Sequence, residues 1–277
     1  MRVGYLGPPG TFSEEAVARC EAVRGAEAVP FPTFADAHEA LLRGELDAAL
    51  LPIENSIEGA VSAVLDLLVH RPGARIRAEL LLQVRQHLLA RPGTRLEQVR
   101  RVLSHPQPLG QCARFLRTRL PAASLEPALS TAEAARKVAA GEPDAAALGP
   151  RRAAERYGLE VLAENVQDSD ENVTRFVLLA REDAPPTGAD RTSIAFTLDR
   201  DRPGGLYEVM GEFARRGINL SKIESRPTKQ AMGHYVFYLD FEGHRADPAG
   251  ASALEGVRAQ VHELHLLGSY PRTGAPV

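Results

Sequence analysis

Thr-Arg-Phe-Val-Leu-Leu-Ala, residues 174–180, is an apolar run with a polar entrance. The pattern predicts a buried strand whose first residues face a cleft. There Thr174 offers a hydroxyl donor, Arg175 a guanidinium that fits carboxylates, and Phe176 an apolar ring surface. Together these groups suit a small ring-shaped acid. The alternative is that Thr174 only begins the strand, Arg175 lies in solvent and Phe176 belongs to the core.

Before this run, strand-like and helix-like segments alternate, which predicts α/β layers with a mostly parallel sheet. The first predicted strand is followed by the turn Gly7-Pro8-Pro9-Gly10 and a helix. Thr11 and Glu14 have capping-box spacing, so the helix begins directly after the turn and its free N–H groups can bind a carboxylate. The glycines match neither Walker A nor the dinucleotide fingerprint. The alternative is a plain strand-to-helix turn.

A second strand end carries Pro52-Ile53-Glu54-Asn55-Ser56. We predict that the strand stops at Leu51 and that an amphipathic helix follows Ala60. The alternative to a ligand site at this helix start is that Asn55 or Ser56 only caps the helix. Ligands of open α/β sheets usually bind outside such strand ends. Two such strand ends in one lobe predict a ligand-binding cleft.

A third strand end carries Ser104-His105-Pro106-Gln107 and starts a helix, which predicts Ser104 and Gln111 near the helix N-terminus. His105 is the conspicuous group that titrates near neutral pH, although a lone histidine is more often structural or exposed than catalytic. The polar segment 165–172 then leads back to Thr174 and suits a crossing between two lobes.

The segment from Glu182 to Arg191 contains two prolines and a glycine and is predicted to be a linker. After it, the element order becomes βαββαβ, which is the ferredoxin-like arrangement. The Gly204-Gly205 loop and the strand end at 224–227 contain no arrangement of acid, base and nucleophile. We therefore expect this part to bind a ligand and not to carry out chemistry.

Length and composition indicate a globular protein of two domains, with 277 residues, 44% hydrophobic and 25% charged. The 33 basic and 36 acidic residues are mixed along the chain, which argues against a nucleic acid or membrane partner. No membrane span or signal peptide is recognised, so we expect a cytoplasmic protein. Cys20 and Cys112 are too few and too far apart for a disulfide framework or a zinc site.

The motifs together give the chain a resemblance to prephenate dehydratase with a C-terminal ACT regulatory domain. Five segments occur in the family's order, and the ordered set is specific: Gly7 to Ser13, Pro52 to Ser56, Ser104 to Gln107, Thr174 to Phe176, and Glu224 to Pro227. The resemblance implies a bilobed α/β catalytic region like a periplasmic binding protein, with the active site between the lobes, and a ferredoxin-like ACT domain. The implied bounds are 1–181 for the catalytic domain (lobes of roughly 1–76 with 165–181, and 77–164), 182–190 for the linker, 191–270 for the ACT domain and 271–277 for the tail.

The resemblance also implies the activity, the decarboxylating dehydration of prephenate to phenylpyruvate, water and CO2 in L-phenylalanine biosynthesis. Aromatisation of the ring drives this reaction, so we expect no cofactor and no metal. Thr174 matches the family's essential threonine. The expected substrate-binding residues are Thr11, Glu54, Asn55, Ser104, Gln111, Arg175 and Phe176.

Regulation by phenylalanine is a further expectation from the resemblance, with the effector bound across a subunit interface. The residues expected to bind it are Gly204, Gly205, Leu206, Glu224, Ser225, Arg226 and Pro227. The family usually has alanine at position 205. We also expect a homodimer or homotetramer that assembles through the ACT and catalytic domains.

Several alternatives remain at this stage. Arg175 either pairs with a substrate carboxylate or braces the lobes, because neighbouring strand residues face opposite ways. The proton for the leaving group comes from Thr174, from a relay or from His105. The substrate could be arogenate, whose ammonium group would need an acidic partner. The chain could also be a bilobed sensor of small acids without turnover.

Overall fold

The secondary structure follows the predicted alternation up to the linker and changes order after it. The computed structural model describes residues 1–198, 203–228 and 234–277. The helices are α1 (Phe12–Arg19), α2 (Phe34–Arg43), α3 (Ser62–His70), α4 (Pro106–Gln111), α5 (Ala113–Arg119), α6 (Thr131–Ala139), α7 (Arg151–Tyr157), α8 (Gly205–Ala214) and α9 (Pro248–Arg258). The strands are β1 (Arg2–Leu6), β2 (Glu27–Phe31), β3 (Ala48–Asn55), β4 (Gly59–Ala60), β5 (Arg75–Gln83), β6 (His87–Ala90), β7 (Arg101–Ser104), β8 (Ser124–Pro127), β9 (Ala145–Gly149), β10 (Glu160–Ala163), β11 (Val173–Ala180), β12 (Asp190–Thr197), β13 (Leu220–Pro227), β14 (Tyr235–Glu242) and β15 (Glu263–Pro271).

Contacts within the chain divide it into two compact units. The first unit consists of Met1–Val61, Leu80–Phe176 and Ala275–Val277. The second unit consists of Ser62–Glu79 and Val177–Gly274, so helix α3 belongs to it. Strands β5 and β11 each continue along the chain from one unit into the other.

The first sheet has the strand order β2-β1-β3-β11-β5, with β4 paired to β3. Strand β1 runs parallel to both β2 and β3. Helix α1 begins at Phe12, after the turn that follows β1, because the Thr11 hydroxyl accepts from the Glu14 N–H and the Glu14 carboxylate accepts from the Gly10 N–H. These two hydrogen bonds fix the helix start beyond the end of β1, as the Thr11 and Glu14 spacing predicted.

The second sheet has the order β10-β6-β9-β7-β8 and, with helices α4 to α7, forms the second lobe of the first unit. Strand β7 is parallel to β8 and β9, whereas β6 is antiparallel to β9 and β10. Buried alanines of α6 and β9 allow the helix to pack closely on the sheet. The Tyr157 hydroxyl of α7 donates to the Pro9 carbonyl oxygen at 2.7 Å, which joins this lobe to the turn before α1.

That junction explains one glycine of the first turn. Gly10 has a φ of +88°, a conformation that other residues adopt at a cost. A Cβ atom there would also lie 2.8 Å from Cε2 of Tyr157. Only glycine therefore fits both the turn and the contact with the second lobe.

The C-terminal part of the second unit has the order β12, α8, β13, β14, α9, β15 along the chain. Its four-stranded antiparallel sheet is arranged β13-β14-β12-β15. Phe213 of α8 packs on Phe241 of β14, with ring centroids 5.0 Å apart, in the core between helices and sheet. The predicted fold class, bilobed α/β followed by a ferredoxin-like βαββαβ domain, is confirmed.

The prediction for the end of β3 was wrong. The strand continues through Pro52 to Asn55, and α3 begins only at Ser62. Asn55 does not cap a helix, because its Oδ1 accepts from the N–H groups of Ile57 and Glu58, both at 3.0 Å. Asparagine side chains stabilise turns in this way, and the β3 to β4 hairpin is the result.

Within the described parts of the chain, no helix is both long enough and apolar enough to cross a bilayer.

Candidate active site

A cavity of about 250 Å³ lies within the first unit, between residues of both lobes. It opens beside the carboxyl end of β3, where ligands of open α/β sheets usually bind, and next to the start of β11, which meets that end. Its lining is mostly polar and uncharged: Phe12, Asn55, Val84, Gln86, His105, Gln107, Pro108, Gln111, Leu129, Ser130, Thr131, Asn172 and Thr174. Three residues predicted to act on substrate, Asn55, Gln111 and Thr174, are among these lining residues.

Asn55 and Thr174 form the first contact of the site. The Asn55 Nδ2 donates to Thr174 Oγ1 at 2.9 Å. Because the hydroxyl oxygen accepts this bond, its own hydrogen remains available to donate, and no acceptor for it is seen among the described residues. Thr174 thus lines the cavity with a hydrogen-bond donor.

Asn172 connects this pair to the second lobe. Its Oδ1 accepts from Asn55 Nδ2 at 2.7 Å, and its Nδ2 donates to Gln111 Oε1 at 3.3 Å. Gln111 Nε2 is buried and has no hydrogen-bond partner in the described residues. Gln111 Nε2 is therefore a second hydrogen-bond donor at the cavity that is not bonded to another described residue.

The start of helix α6 borders the same cavity and a larger neighbouring one of about 660 Å³. Ser130 caps the helix, since its Oγ accepts from the Glu133 N–H at 3.0 Å. Thr131 is only 8% exposed, and no hydrogen bond of its hydroxyl is seen in the described structure. Hydroxyls at a helix N-terminus, where the helix dipole is positive, suit an anionic group of a ligand.

Several predicted site residues lie away from this cavity. The Arg175 guanidinium is buried and lies 3.8 Å from the Glu54 carboxylate. Alternation along the strands explains this placement, because Thr174 and Asn55 face the cavity and their neighbours face the opposite side. Phe176 is 2% exposed and belongs to the core. The pair joins β3 and β11 of the first sheet, so it lies within the first lobe and does not bridge the two lobes.

Ser104 and Thr11 are also engaged elsewhere. Ser104 is fully buried at the end of β7, and its hydroxyl donates to the Leu148 carbonyl oxygen at 2.9 Å. Thr11 caps α1 and lines the larger neighbouring cavity. Of the residues predicted to act on substrate, the structure brings Asn55, Gln111 and Thr174 together.

His105 lines the cavity as the cap of helix α4. Its Nδ1 accepts from the Gln107 N–H at 3.3 Å, so this ring nitrogen caps the helix. Close by, burial raises the pKa of the Cys112 thiol to about 12. That cysteine is fully buried and stays protonated at neutral pH.

No lining residue of the 250 Å³ cavity is an aspartate or a glutamate. The described residues also contain no group of three or more His, Cys, Asp or Glu side chains arranged to hold a metal ion. The polar side chains of the cavity are therefore amides, hydroxyls and the imidazole of His105. Such a site can bind oxygen atoms of an acid through donors and offers no ion pair to an ammonium group.

The residues predicted to bind an effector lie on two elements of the second unit. Gly204, Gly205 and Leu206 lie at the start of α8. Strand β13 alternates, so Glu224 and Arg226 lie on its half-buried side and Ser225 and Pro227 on its exposed side.

Arg226 is held by helix α3 of the same unit. Its Nε lies 3.2 Å from the Asp66 carboxylate, and its guanidinium also donates to the Ser62 hydroxyl. The Tyr238 hydroxyl of β14 donates to the Leu65 carbonyl oxygen of the same helix at 3.1 Å. Helix α3 therefore packs on the sheet that carries the predicted effector residues.

Sequence reasoning assigned no site role to five polar residues of the cavity: Gln86, Gln107, Ser130, Thr131 and Asn172. For Asn172 a signal existed, because it precedes Thr174 by two positions and so shares its side of an extended chain. The helix cap of Ser130 and Thr131 was predicted only as a structural feature. Gln86 has a buried Oε1 without a partner in the described structure, which the sequence does not reveal.

Comparisons with known proteins agree with this architecture. A family model described as prephenate dehydratase matches residues 3–184, and one described as ACT domain matches residues 192–259. A prephenate dehydratase of Amycolatopsis methanolica is 46% identical over 98% of this chain and 88% of its own length.

Two solved structures cover nearly the whole chain. The crystal structure of prephenate dehydratase from Arthrobacter aurescens in complex with L-Phe has a TM-score of 0.90 and 38% identity, over 100% of this chain and 93% of that one. A structure described as a novel type of quorum-quenching acylase has a TM-score of 0.90 and 31% identity, over 99% of this chain and 98% of that one.

Proposed function

The chain belongs to the prephenate dehydratase family, and from this premise we propose that it converts prephenate to phenylpyruvate, water and CO2. In this reaction the carbon–carbon bond to the ring carboxylate breaks, and its electron pair completes the aromatic ring. The ring hydroxyl leaves with its bonding pair and takes up a proton to become water. The protein's task is to hold the acid and to stabilise the departing oxygen.

The donor at Thr174 is the observation that carries this proposal. Its oxygen accepts from Asn55, so its hydrogen is available to the ring oxygen as negative charge develops there. A threonine hydroxyl is a very weak acid. Thr174 therefore stabilises the leaving group by a hydrogen bond or passes on a proton from a neighbour, and it does not act as a free acid.

The start of α6 supports the binding of a substrate carboxylate. Ser130, Thr131 and the N-terminal amides of the helix border the cavity on the side of the second lobe. The neutral lining favours prephenate over arogenate, because the ammonium of arogenate would lie in a cavity without a carboxylate among its lining residues.

His105 is a second candidate for the proton donor. Its Nδ1 already accepts from a backbone N–H, and the opposite ring nitrogen would have to serve the substrate. If it did, turnover would collapse in His105→Gln. We assign His105 to capping α4, so this variant should keep most of its turnover.

Regulation by phenylalanine belongs to the same proposal. The ACT family match and the L-Phe complex of the related Arthrobacter enzyme support an effector site in the C-terminal domain. We place it at Gly204 to Leu206 and Glu224 to Pro227, across an interface between subunits of a dimer or tetramer. The domain limits of 1–181 and 191–270 are part of the proposal.

An acylase activity, suggested by the related quorum-quenching structure, would need an activated nucleophile. In the described residues, the His105 ring accepts a hydrogen bond from the Gln107 N–H, and no serine or threonine hydroxyl is bonded to it. The geometry therefore favours the dehydratase.

The test is to mix purified protein with prephenate and to follow phenylpyruvate by its absorbance. Parallel reactions contain arogenate and an acyl-homoserine lactone. We expect turnover of prephenate at least about tenfold more efficient than that of either alternative. Binding of prephenate without product, or faster hydrolysis of the lactone, would contradict the proposal.

A further inference from the structure

Asn172 lies next to the proposed catalytic threonine and has no role so far. It is 4% exposed, and it lines the cavity. Its side chain bonds Asn55 of the first lobe and Gln111 of the second. A buried amide that connects residues of both lobes can set the geometry of both.

The direction of these hydrogen bonds is determined at Asn55. The backbone N–H groups of Ile57 and Glu58 can only donate, and both point at the Asn55 Oδ1 at 3.0 Å. The Asn55 amide nitrogen therefore lies on the opposite side. Its nearest acceptors are Asn172 Oδ1 at 2.7 Å and Thr174 Oγ1 at 2.9 Å, whereas the Val173 carbonyl oxygen is farther away at 3.4 Å, so its two hydrogens go to the two side chains.

The orientation of the Asn55 amide also sets the orientation of the Asn172 amide toward Gln111 in the second lobe. Because its oxygen accepts from Asn55, its Nδ2 is left to donate to Gln111 Oε1. Gln111 must then hold its Nε2 on the other side of its amide group. That nitrogen is buried without a partner in the described structure, and Gln111 lines the cavity.

We propose that Asn172 is a positioning residue that fixes the amide orientation of Gln111, so that Gln111 Nε2 and the Thr174 hydroxyl both present hydrogens to the reacting ligand. This inference rests on the proposed dehydration. As the carbon–oxygen bond breaks, charge develops on the oxygen, and donors that are already oriented stabilise it without reorganisation. Without Asn172, the Gln111 amide can turn by half a rotation and present its oxygen to that charge.

The decisive variant is Asn172→Asp. Above the pKa of the new carboxyl group, its second oxygen faces Gln111 Oε1, and the repulsion of two acceptors turns the Gln111 amide around. Below that pKa, the protonated oxygen donates to Gln111 and the native arrangement returns. Burial raises the pKa of a carboxyl group, so this change should fall within the measurable range.

We expect kcat of Asn172→Asp to be about tenfold or more below wild type at pH 8 and to recover as the pH is lowered, with KM within about threefold. Asn172→Ala should lose a similar factor without recovery. Asn219→Asp, at an exposed residue of the second unit, is the matched control and should follow the wild-type profile. Thermal melting of each variant separates loss of kcat from loss of folded protein.

A purely structural role for Asn172 predicts a different result. In that case the Asn172→Asp profile would run parallel to wild type, or Asn172→Ala would keep its kcat, and either result overturns the inference. If Asn172→Asp does not fold, the kcat and KM of Asn172→Ala and Asn172→Ser test the inference instead. A lower kcat with little change in KM supports it, and an unchanged kcat overturns it. Wild-type protein that fails to turn over prephenate would instead contradict the proposed function, so the two failures are distinguishable.

Discussion

Asn55 and Thr174 are 119 residues apart in the sequence, and their side chains meet at 2.9 Å with the amide donating to the hydroxyl. The contact brings the end of β3 to the start of β11. Because Asn55 is the donor of this bond, the hydrogen of the Thr174 hydroxyl points away from Asn55. The proposed chemistry depends on this direction, because a hydroxyl that donated to Asn55 could not donate to a leaving group.

The carboxylate subsite at α6 predicts a change in substrate binding. Thr131→Val removes the buried hydroxyl and keeps the shape of the side chain. A hydrogen bond to a charged group contributes about 1.5–3 kcal/mol, so we expect KM to rise roughly tenfold or more with little change in kcat. Steady-state kinetics measure this, and Thr118→Val on the exposed side of α5 is the control. An unchanged KM would remove Thr131 from the site.

The ion pair between Arg226 and Asp66 predicts how the effector signal reaches the catalytic residues. Helix α3 carries Asp66 and follows, after Val61, the hairpin that begins with Asn55. We expect Asp66→Asn to keep basal turnover and phenylalanine binding but to weaken inhibition severalfold at saturating phenylalanine.

Inhibition assays and calorimetric titration with phenylalanine measure the two quantities separately. Glu255→Gln removes an equal charge from the exposed side of α9 and should behave as wild type. Inhibition by phenylalanine that is unchanged in Asp66→Asn would show that the ion pair does not carry the signal.

The buried imidazole of His87 predicts a pH dependence of stability. Burial lowers the pKa of His87, the charge of Arg151 lowers it further, and Glu164 opposes the shift. A lowered pKa means that the folded state binds the proton less well than the unfolded state. This contribution to stability is therefore present above the unfolded pKa of about 6.5 and is lost as the pH falls below it.

Denaturant unfolding of wild type and His87→Gln between pH 7.5 and 5 tests this effect. The free energy of unfolding of wild type should fall more steeply with acid, by at most about 1.4 kcal/mol per pH unit. The slope of His87→Gln contains the contributions of all other groups, so the difference between the two slopes belongs to His87. Equal slopes in wild type and His87→Gln would contradict the assignment.

Much of the fold was predictable, because its signals are local. Short segments of sequence contain the capping residues, the glycine-bearing turns and the alternation of strands with helices. The order of strands and helices changes after Glu182, which separates the ferredoxin-like part. The exception is the end of β3. Pro52 and Asn55 suggested a strand end and a helix cap, whereas the strand continues and Asn55 stabilises a hairpin.

The site was less predictable, because a motif does not state which way its side chains point. Thr174 and Arg175 are neighbours in one motif, yet only the first lines the cavity and the second pairs with Glu54. Ser104 is a motif residue that is fully buried. Asn172 was missed because its role depends on two partners, Asn55 and Gln111, that are distant in the sequence.

The most direct test of the account is the kcat of Thr174→Val with prephenate, set against Thr174→Ser. Valine keeps the shape of threonine without the hydroxyl, whereas serine keeps the hydroxyl. We predict a fall in kcat of about 100-fold to 1000-fold for Thr174→Val, with substrate binding within a few-fold, and substantial activity for Thr174→Ser. A Thr174→Val enzyme with near wild-type kcat would contradict it.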